Sequence, residues 1–297
     1  MWFNVLVSGG RGANPMTFDL RLAIAGQYVR HSPIETAKWR VADYLRKQLA
    51  SNPVRKITKV AGGLLMDLDT SDFLQRELYV FRDFEPSIRR EIINRLKPGD
   101  TFLDIGANVG FYSICASTVV GDTGAVYAFE PAPKTRKILD RNIELNGIRN
   151  VVSVPTALSD CTGTQKFFLD ANRNSGASSL RQSANSGEVI EVELNTYDNF
   201  AAAHGLSIPA LVKIDVEGAE ANVLRGMEGM LTQPGRPPII LEVSEWSLTQ
   251  MGSSKEKLFD FMITHGYKAH LLSQPGVSIY SQDNIYFQYD VLFTPRK

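Results

Sequence analysis

The chain has 297 residues, 43% of them hydrophobic, with 32 Lys+Arg against 32 Asp+Glu. That length makes one large α/β domain or two small ones, with enough chain to bury a sizeable core. The cancelled charge supplies no global field that would draw nucleic acid or an anionic membrane, and the two cysteines, Cys115 and Cys161, form neither a disulfide framework nor a metal-ligand pattern, which fits a reducing cytoplasm.

In chain order, the leader MWFNVLVSGGRGANPM has no charged lead-in and no long apolar run. It reads neither as a signal peptide nor as a membrane span of about 20 residues, and Met16 is an alternative start. Ser32-Pro33-Ile34-Glu35 is a capping box with Pro at the first helical position, and Ile34, Val41, Leu45 and Leu49 line one face of the helix it opens. KITKV and LLMDLD, split by Gly62-Gly63, predict a hairpin, and Pro86 opens a helix through Leu96. Residues 32–97 hold too little apolar content for an independent core. The segment 1–97 is therefore read as an N-terminal extension and helical/hairpin cap, and 98–297 as the main domain.

From residue 98 onward, strands alternate with helices, the pattern of a parallel sheet covered on both faces. TFLDIGA (101–107), AVYAFEP (125–131), VVSVPTAL (151–158), ALVKIDVEG (210–218) and PPIILEVSE (237–245) are the first five strands. FYSICASTVV is a helix, and in KTRKILDRNIELNG the residues Ile138, Leu139, Ile143 and Leu145 share a helix side that Gly147 terminates. Val223, Leu224, Met227, Met230 and Leu231 form one helical core stripe. Ser253-Ser-Lys-Glu256 is a capping box for a helix that Gly266 closes. YKAHLLS and NIYFQYDVLFTP are the last two strands. With no helix between them, one of the pair runs antiparallel at an edge. Between the third and fourth units, TQKFFLD (164–170) and EVIEVELN (188–195) are two further strands around a Gly/Ser/Asn-rich loop, 171–187, which is read as a lid.

Chemistry concentrates at two places. In TFLDIGANVGFYS, Gly106 permits a backbone shape denied to other residues, and Gly110 permits close approach of the chain to ligand or strand. A dinucleotide fingerprint needs glycines at 108 and 111, where this chain has Asn108 and Phe111. Asn108 suits a helix cap, and the helix start offers N–H groups to a compact carboxylate. Asp104 at the strand tip repels a pyrophosphate and pairs with an ammonium. Glu130 ends the second strand, about 20 residues on, where an acid accepts ribose hydroxyls. An amino acid joined to a nucleoside satisfies all of these, and S-adenosylmethionine is such a compound.

The second place is VKIDVEGAE (212–220). Strand alternation sets Lys213, Asp215 and Glu217 on the face opposite Val212, Ile214 and Val216. IILEVSEW places Glu242 and Ser244 on one face, so neighbouring strands would gather Asp215, Glu217 and Glu242. A carboxylate there can take a proton from an acceptor hydroxyl. Three acids also offer oxygen ligands of the kind a divalent cation takes, although no metal is assigned. Lys213 is read as an internal partner of Asp215 or Asp104. None of the four scattered histidines is given a catalytic role.

With these residues in view, the chain resembles the FkbM family of S-adenosylmethionine-dependent methyltransferases. The segments that carry the resemblance are DFEPSIRREIINRLKPGDTFLDIGANVGFYS, AFEPAPKTRKILDRNIELNG, ALSD, SGASSL, LVKIDVEGAEANVLRGM and DNIYF. The resemblance implies a class I methyltransferase fold: an α/β, Rossmann-like, mostly parallel seven-stranded sheet with helices on both faces and the last strand antiparallel. It also implies O-methylation of a sugar, glycan or natural-product hydroxyl. Asp104, Gly106, Asn108 and Gly110 would hold the methionine part of S-adenosyl-L-methionine, Glu130 the ribose, and Ala157 and Leu158 would border the adenine. Asp215 would lie near the methyl; the acid cluster read from strand alternation adds Glu217 and Glu242 to it as the candidate catalytic group. Glu85 and Asn284 match recurrent family positions without an assigned role, and residues 1–31 lie outside the resemblance. A non-catalytic cofactor-binding module and a nucleotide-dependent oxidoreductase are the alternatives. A small-molecule or glycan acceptor is the expected partner, with no nucleic acid and no membrane span.

Overall fold

The computed structural model describes residues 15–171, 174–180, 182, 186–272 and 288–296. Asn284, the DNIYF segment and parts of the 171–187 loop lie outside them. The chain divides into two compact units, residues 1–63 with 67–84, and residues 64–66 with 85–297. The division falls at 84/85, ahead of the expected 97/98, because helix α4 (Pro86–Arg95) packs on a helix of the larger unit.

The smaller unit carries α1 (Pro15–His31), α2 (Glu35–Ser51), β1 (Arg55–Lys59), which forms a two-stranded sheet with β2 (Leu65–Asp69), the end of β2 from residue 67 on, and α3 (Phe73–Phe81), a helix the periodicity reading missed. Leu22, Ala25, Val29, Val41, Ala42, Leu45, Leu49 and Val80 form a buried cluster, so the region does have an apolar core of its own. The hairpin turns on Ala61–Gly63, with Gly62 and Gly63 at positive φ. The predicted capping box does not form. Ser32 Oγ accepts from the Ile34 amide at 3.2 Å, the helix begins at Glu35, and Ile34 is left exposed at its cap.

The larger unit is built on a seven-stranded sheet in the order β11-β12-β10-β9-β3-β4-β5. Its strands are β3 (Thr101–Ile105), β4 (Ala125–Phe129), β5 (Val151–Val154), β9 (Leu211–Ile214), β10 (Ile239–Ser244), β11 (Tyr267–Leu271) and β12 (Gln288–Pro295). The first five pair in parallel, and β12 runs antiparallel to both β10 and β11. The antiparallel strand is thus the last one, as the resemblance implied, but it lies second from the edge, which β11 occupies. This is the class I methyltransferase arrangement. Strand order reverses at β3, so the carboxyl ends of β3, β4, β9 and β10 open on one crevice.

Helices α5 (Phe111–Val120) and α6 (Pro133–Leu145) follow β3 and β4. The predicted strand 151–158 splits at Pro155, which has no amide hydrogen to donate to a ladder. Its second half, β6 (Thr156–Leu158), leaves the main sheet and joins β7 (Gly163–Asp170) and β8 (Ser186–Asn195) in a three-stranded sheet, order β6-β8-β7. After α7 (Tyr197–His204), the single helix predicted at 220–231 becomes α8 (Glu220–Arg225) and α9 (Glu228–Leu231). The Gly226 carbonyl accepts from the Asp198 amide at 3.1 Å, and the Asp198 carboxylate caps the second piece through the Gly229 and Met230 amides at 2.7 and 3.1 Å. The predicted core stripe survives this break, with all five side chains buried. Beyond α10 (Glu245–Gln250), helix α11 (Lys255–Thr264) is capped by Ser254, one residue later than expected.

Candidate active site

The turn from β3 to α5 is shaped by three positive-φ residues, Gly106 (φ 79), Asn108 (φ 50) and Gly110 (φ 88). A Cβ on Gly106 would stand 1.8 Å from the Asp215 carbonyl oxygen, so glycine is required by the neighbouring strand as well as by φ. Gly110 makes room for α6, since a Cβ there would lie 2.3 Å from Leu139 Cδ1. Its close approach is therefore to a helix and not to a ligand. Gly110 is also the N-cap residue of α5, the position expected for Asn108. Asn108 instead bends over itself: its Oδ1 accepts from the Val109 amide at 2.7 Å and from Ser175 Oγ at 3.1 Å, tying the 171–187 loop to the turn.

The turn's amides are already used. Gly106 and Ala107 donate to the Phe129 carbonyl at 3.0 and 2.9 Å, Asn108 to Glu130 Oε2 at 3.0 Å, and Gly110 to the Ala107 carbonyl at 2.9 Å. The N–H groups expected to meet a carboxylate belong to the start of α5, beyond these turn residues. Glu130 also takes the Ala132 amide on Oε1 at 2.9 Å. Burial pushes its carboxyl up to about 7, against the pull of these two amides and Arg136.

Asp104 is fully buried and does not stand open at the strand tip. The parallel register sets it opposite Lys213 on β9. Lys213 Nζ lies 3.8 Å from Asp104 Oδ1 and 3.0 Å from Asp215 Oδ2, so it serves both acids between which the sequence reading left it. Ser113 Oγ donates to Asp104 Oδ2 at 2.6 Å, and Oδ1 has no hydrogen-bond partner. Burial raises Asp104 above the ordinary carboxylate range, because an ion pair at 3.8 Å without a hydrogen bond returns only part of the desolvation cost. For Lys213 burial works against the charge, but Asp215 and Asp104 hold it above the usual lysine range.

Asp215, Glu217 and Glu242 come together, one oxygen of each within 4.8 Å of the others. The route differs from the predicted strand face. β9 stops at Ile214, and Glu217 reaches the group from a turn at φ 55, followed by Gly218. Glu220 Oε1 holds that turn through the amides of Val216 and Gly218, at 3.1 and 3.0 Å. Glu242 is buried and sits directly across the antiparallel register from buried Asp290. Burial, then Asp215 and Glu217, keep Glu242 well above the ordinary carboxylate range, and Gln288 Nε2 donates to its Oε1. Glu85, itself at φ 39, accepts from the Tyr112 hydroxyl at 2.6 Å, and burial followed by Asp290 pushes it up to about 8. Ala157 and Leu158 lie buried on β6, outside the main sheet.

Over residues 104–269 the sequence matches the Methyltransferase FkbM domain, a span that includes the glycine turn, Glu130, Asp215 and Glu242. The chain belongs to the FkbM methyltransferase family. Among relatives in the family's range, the 31-O-demethyl-FK506 methyltransferase of Streptomyces tacrolimicus is 29% identical over 186 residues, 53% of this chain and 69% of that protein. Hexuronic acid methyltransferase AglP of Haloferax volcanii is 26% identical over 157 residues, 52% of this chain and 62% of that protein. A SAM-dependent O-methyltransferase of known structure from Thermotoga maritima is 13% identical, with 72% of this chain and 68% of that one covered and a TM-score of 0.41.

Three polar partners were given no role from sequence: Ser113 on Asp104, Tyr112 on Glu85, and Asp290 beside Glu242. The first two lie within the GFYS end of the glycine-turn motif, and Ser113 stands in the first turn of the helix that follows.

Proposed function

We propose that this chain is an S-adenosylmethionine-dependent O-methyltransferase that transfers a methyl group to a hydroxyl of a sugar, glycan or natural-product small molecule. The observation that carries this reading is the set of acids gathered beneath the crevice. Asp104, Asp215, Glu217, Glu242, Glu85 and Asp290 form one electrostatically connected group with Lys213, and burial together with their mutual repulsion raises Asp104, Glu85 and Glu242, a cost that a cationic ligand would relieve. Such a crevice suits a ligand bearing sulfonium and ammonium charges and opposes a pyrophosphate. The orphaned, buried Oδ1 of Asp104 fits the ammonium of the same ligand.

In this reading the 104–110 turn, with Gly106, Asn108 and Gly110, holds the methionine part. Glu130 keeps a second lone pair on each oxygen for the ribose hydroxyls. Ala157 and Leu158 border the adenine. When bound, the cofactor supplies an electrophilic methyl carbon. Asp215 is positioned by Lys213, keeps a side chain 27% exposed, and takes the proton of the acceptor hydroxyl. Burial, Asp215 and Glu217 raise the proton affinity of Glu242, which favours a proton shared with those two carboxylates. The name of the FK506 relative supports O-methylation of a small molecule, and that of the hexuronic acid relative supports a sugar-derived acceptor.

The test is calorimetry of the protein with S-adenosylmethionine, its demethylated product and NAD, followed by labelled-methyl transfer to a panel of sugars and polyketides. Binding of NAD in preference to S-adenosylmethionine overturns the proposal, and tight cofactor binding without transfer to any hydroxyl compound moves it to a non-catalytic module.

A further inference from the structure

The smaller unit encloses a cavity of about 350 Å³ lined by Arg30, Lys56 and Arg82 together with apolar side chains that include Leu22, Leu45, Leu49 and Val80. Among the described residues no carboxylate lines it. The unit does contain acids, and it spends them elsewhere: Arg46 is bound bidentately by Glu77 at 2.8 and 2.6 Å, and Arg55 by Asp67 at 3.1 and 2.9 Å. The three cavity cations have no such partner among the described residues. Arg30 Nη1 donates to the Val80 carbonyl at 3.2 Å, and the Arg82 guanidinium lies 4.7 Å from the Tyr79 ring centroid.

Two details show that the cations are built into this cavity. Arg82 is hydrogen-bonded to Tyr79, but its Nη1 is buried without a hydrogen-bond partner, a state that calls for a water, an ion or a ligand to complete it. Arg82 itself takes a left-handed backbone (φ 62) that ends α3, fixed by its amide to Leu78 O at 2.9 Å and by the Ala61 amide to its own carbonyl at 2.7 Å. Gly26 is the second detail: the Arg30 guanidinium lies back over this glycine on its own helix, where a Cβ would stand 2.9 Å from Nη1 and the flexible guanidinium would have to shift. Burial and then Arg82 lower Arg30 from its ordinary value, and burial lowers Arg82, both being directions that an entering anion would reverse.

We infer that this cavity is a binding site for a phosphate monoester carried on an apolar body, with Arg82 and Arg30 gripping the phosphate, Lys56 at the rim, and Leu22, Leu45 and Leu49 against the apolar part. Two guanidiniums match the planar, bidentate geometry of phosphate oxygens, and three cations match a dianion better than a single carboxylate. The phosphate could belong to a lipid or to a soluble sugar phosphate, and the apolar wall favours the lipid.

Calorimetric titration of the full chain with decyl phosphate, glucose 1-phosphate and decanol tests this. Decyl phosphate is expected to bind, with affinity reduced at least tenfold by Arg82→Gln or Arg30→Gln and about threefold by the exposed Lys56→Gln, whose folding is not in question. Saturating S-adenosylhomocysteine should leave this binding unchanged, which separates it from the methyltransferase crevice. Glucose 1-phosphate binding as tightly as decyl phosphate supports the anion site and assigns its source to soluble esters. Decanol binding as tightly as decyl phosphate, no binding of either phosphate, or equal affinity in all three variants overturns the inference.

Discussion

The carbonyl oxygen of Asp215 occupies the place where a side chain on Gly106 would have to go, 1.8 Å from an ideal Cβ. Asp215 N–H in turn donates to the Ile105 carbonyl at 3.0 Å, so the glycine turn and the acid-bearing strand end are locked to one another. Gly106→Ala combines this clash with a positive φ. We expect a loss of at least about 2 kcal/mol of stability, read as a lowered urea midpoint; an unchanged midpoint would contradict the geometry.

Lys213 is the buried countercharge for Asp104 and Asp215. Lys213→Met leaves the Asp104 carboxyl enclosed without a cation, at a cost of roughly 3–5 kcal/mol. Adding Asp104→Asn to the same protein should recover at least half of that. Chemical denaturation of the single and double variants checks the pair, and a single-variant loss below about 1 kcal/mol would mean that the ion pair is not a structural necessity.

Stability should fall as pH rises. Glu130 and Glu220 are each raised from 4.5 to about 7 in the native state, in both cases chiefly by burial. Between those values the native protein keeps protons that the unfolded chain has released, so rising pH favours unfolding. Their stabilising contribution is complete below pH 4.5 and is lost as pH climbs through 7. Glu220 Oε2 is buried without a hydrogen-bond partner, and Glu220→Gln, which does not titrate, should flatten the descent. Urea midpoints from pH 5 to 8 measure it; parallel curves for the variant and its parent would remove Glu220 from the account.

If Asp215 accepts the acceptor's proton, Asp215→Asn lowers kcat by about 10²–10⁴-fold while S-adenosylmethionine affinity changes far less. Labelled-methyl assays and calorimetry on the same preparation separate the two. Equal losses in both would place Asp215 in cofactor binding alone.

Ser175 hydrogen-bonds Asn108 from the loop between β7 and β8. Removing it with Ser175→Ala costs about 1 kcal/mol, which should appear as a roughly fivefold weaker cofactor Kd. A Kd equal to the parent's would detach this loop from the crevice.

The sequence by itself determined the alternation of strands and helices, the glycine turn after β3, the core stripe at 223–231 and the presence of acids near the ends of β9 and β10. Each is a local matter, since periodicity and backbone permission are written within a few neighbouring residues. Tertiary structure alone decided that 151–158 serves two sheets, that the turn's amides go to Phe129 and Glu130, that Lys213 serves both Asp104 and Asp215, and that Tyr112 and Glu242 meet Glu85 and Asp290. Those pairings depend on strand order and register across tens of residues. A buried polar group takes the partner that the register brings to it, and no short window of sequence records that register.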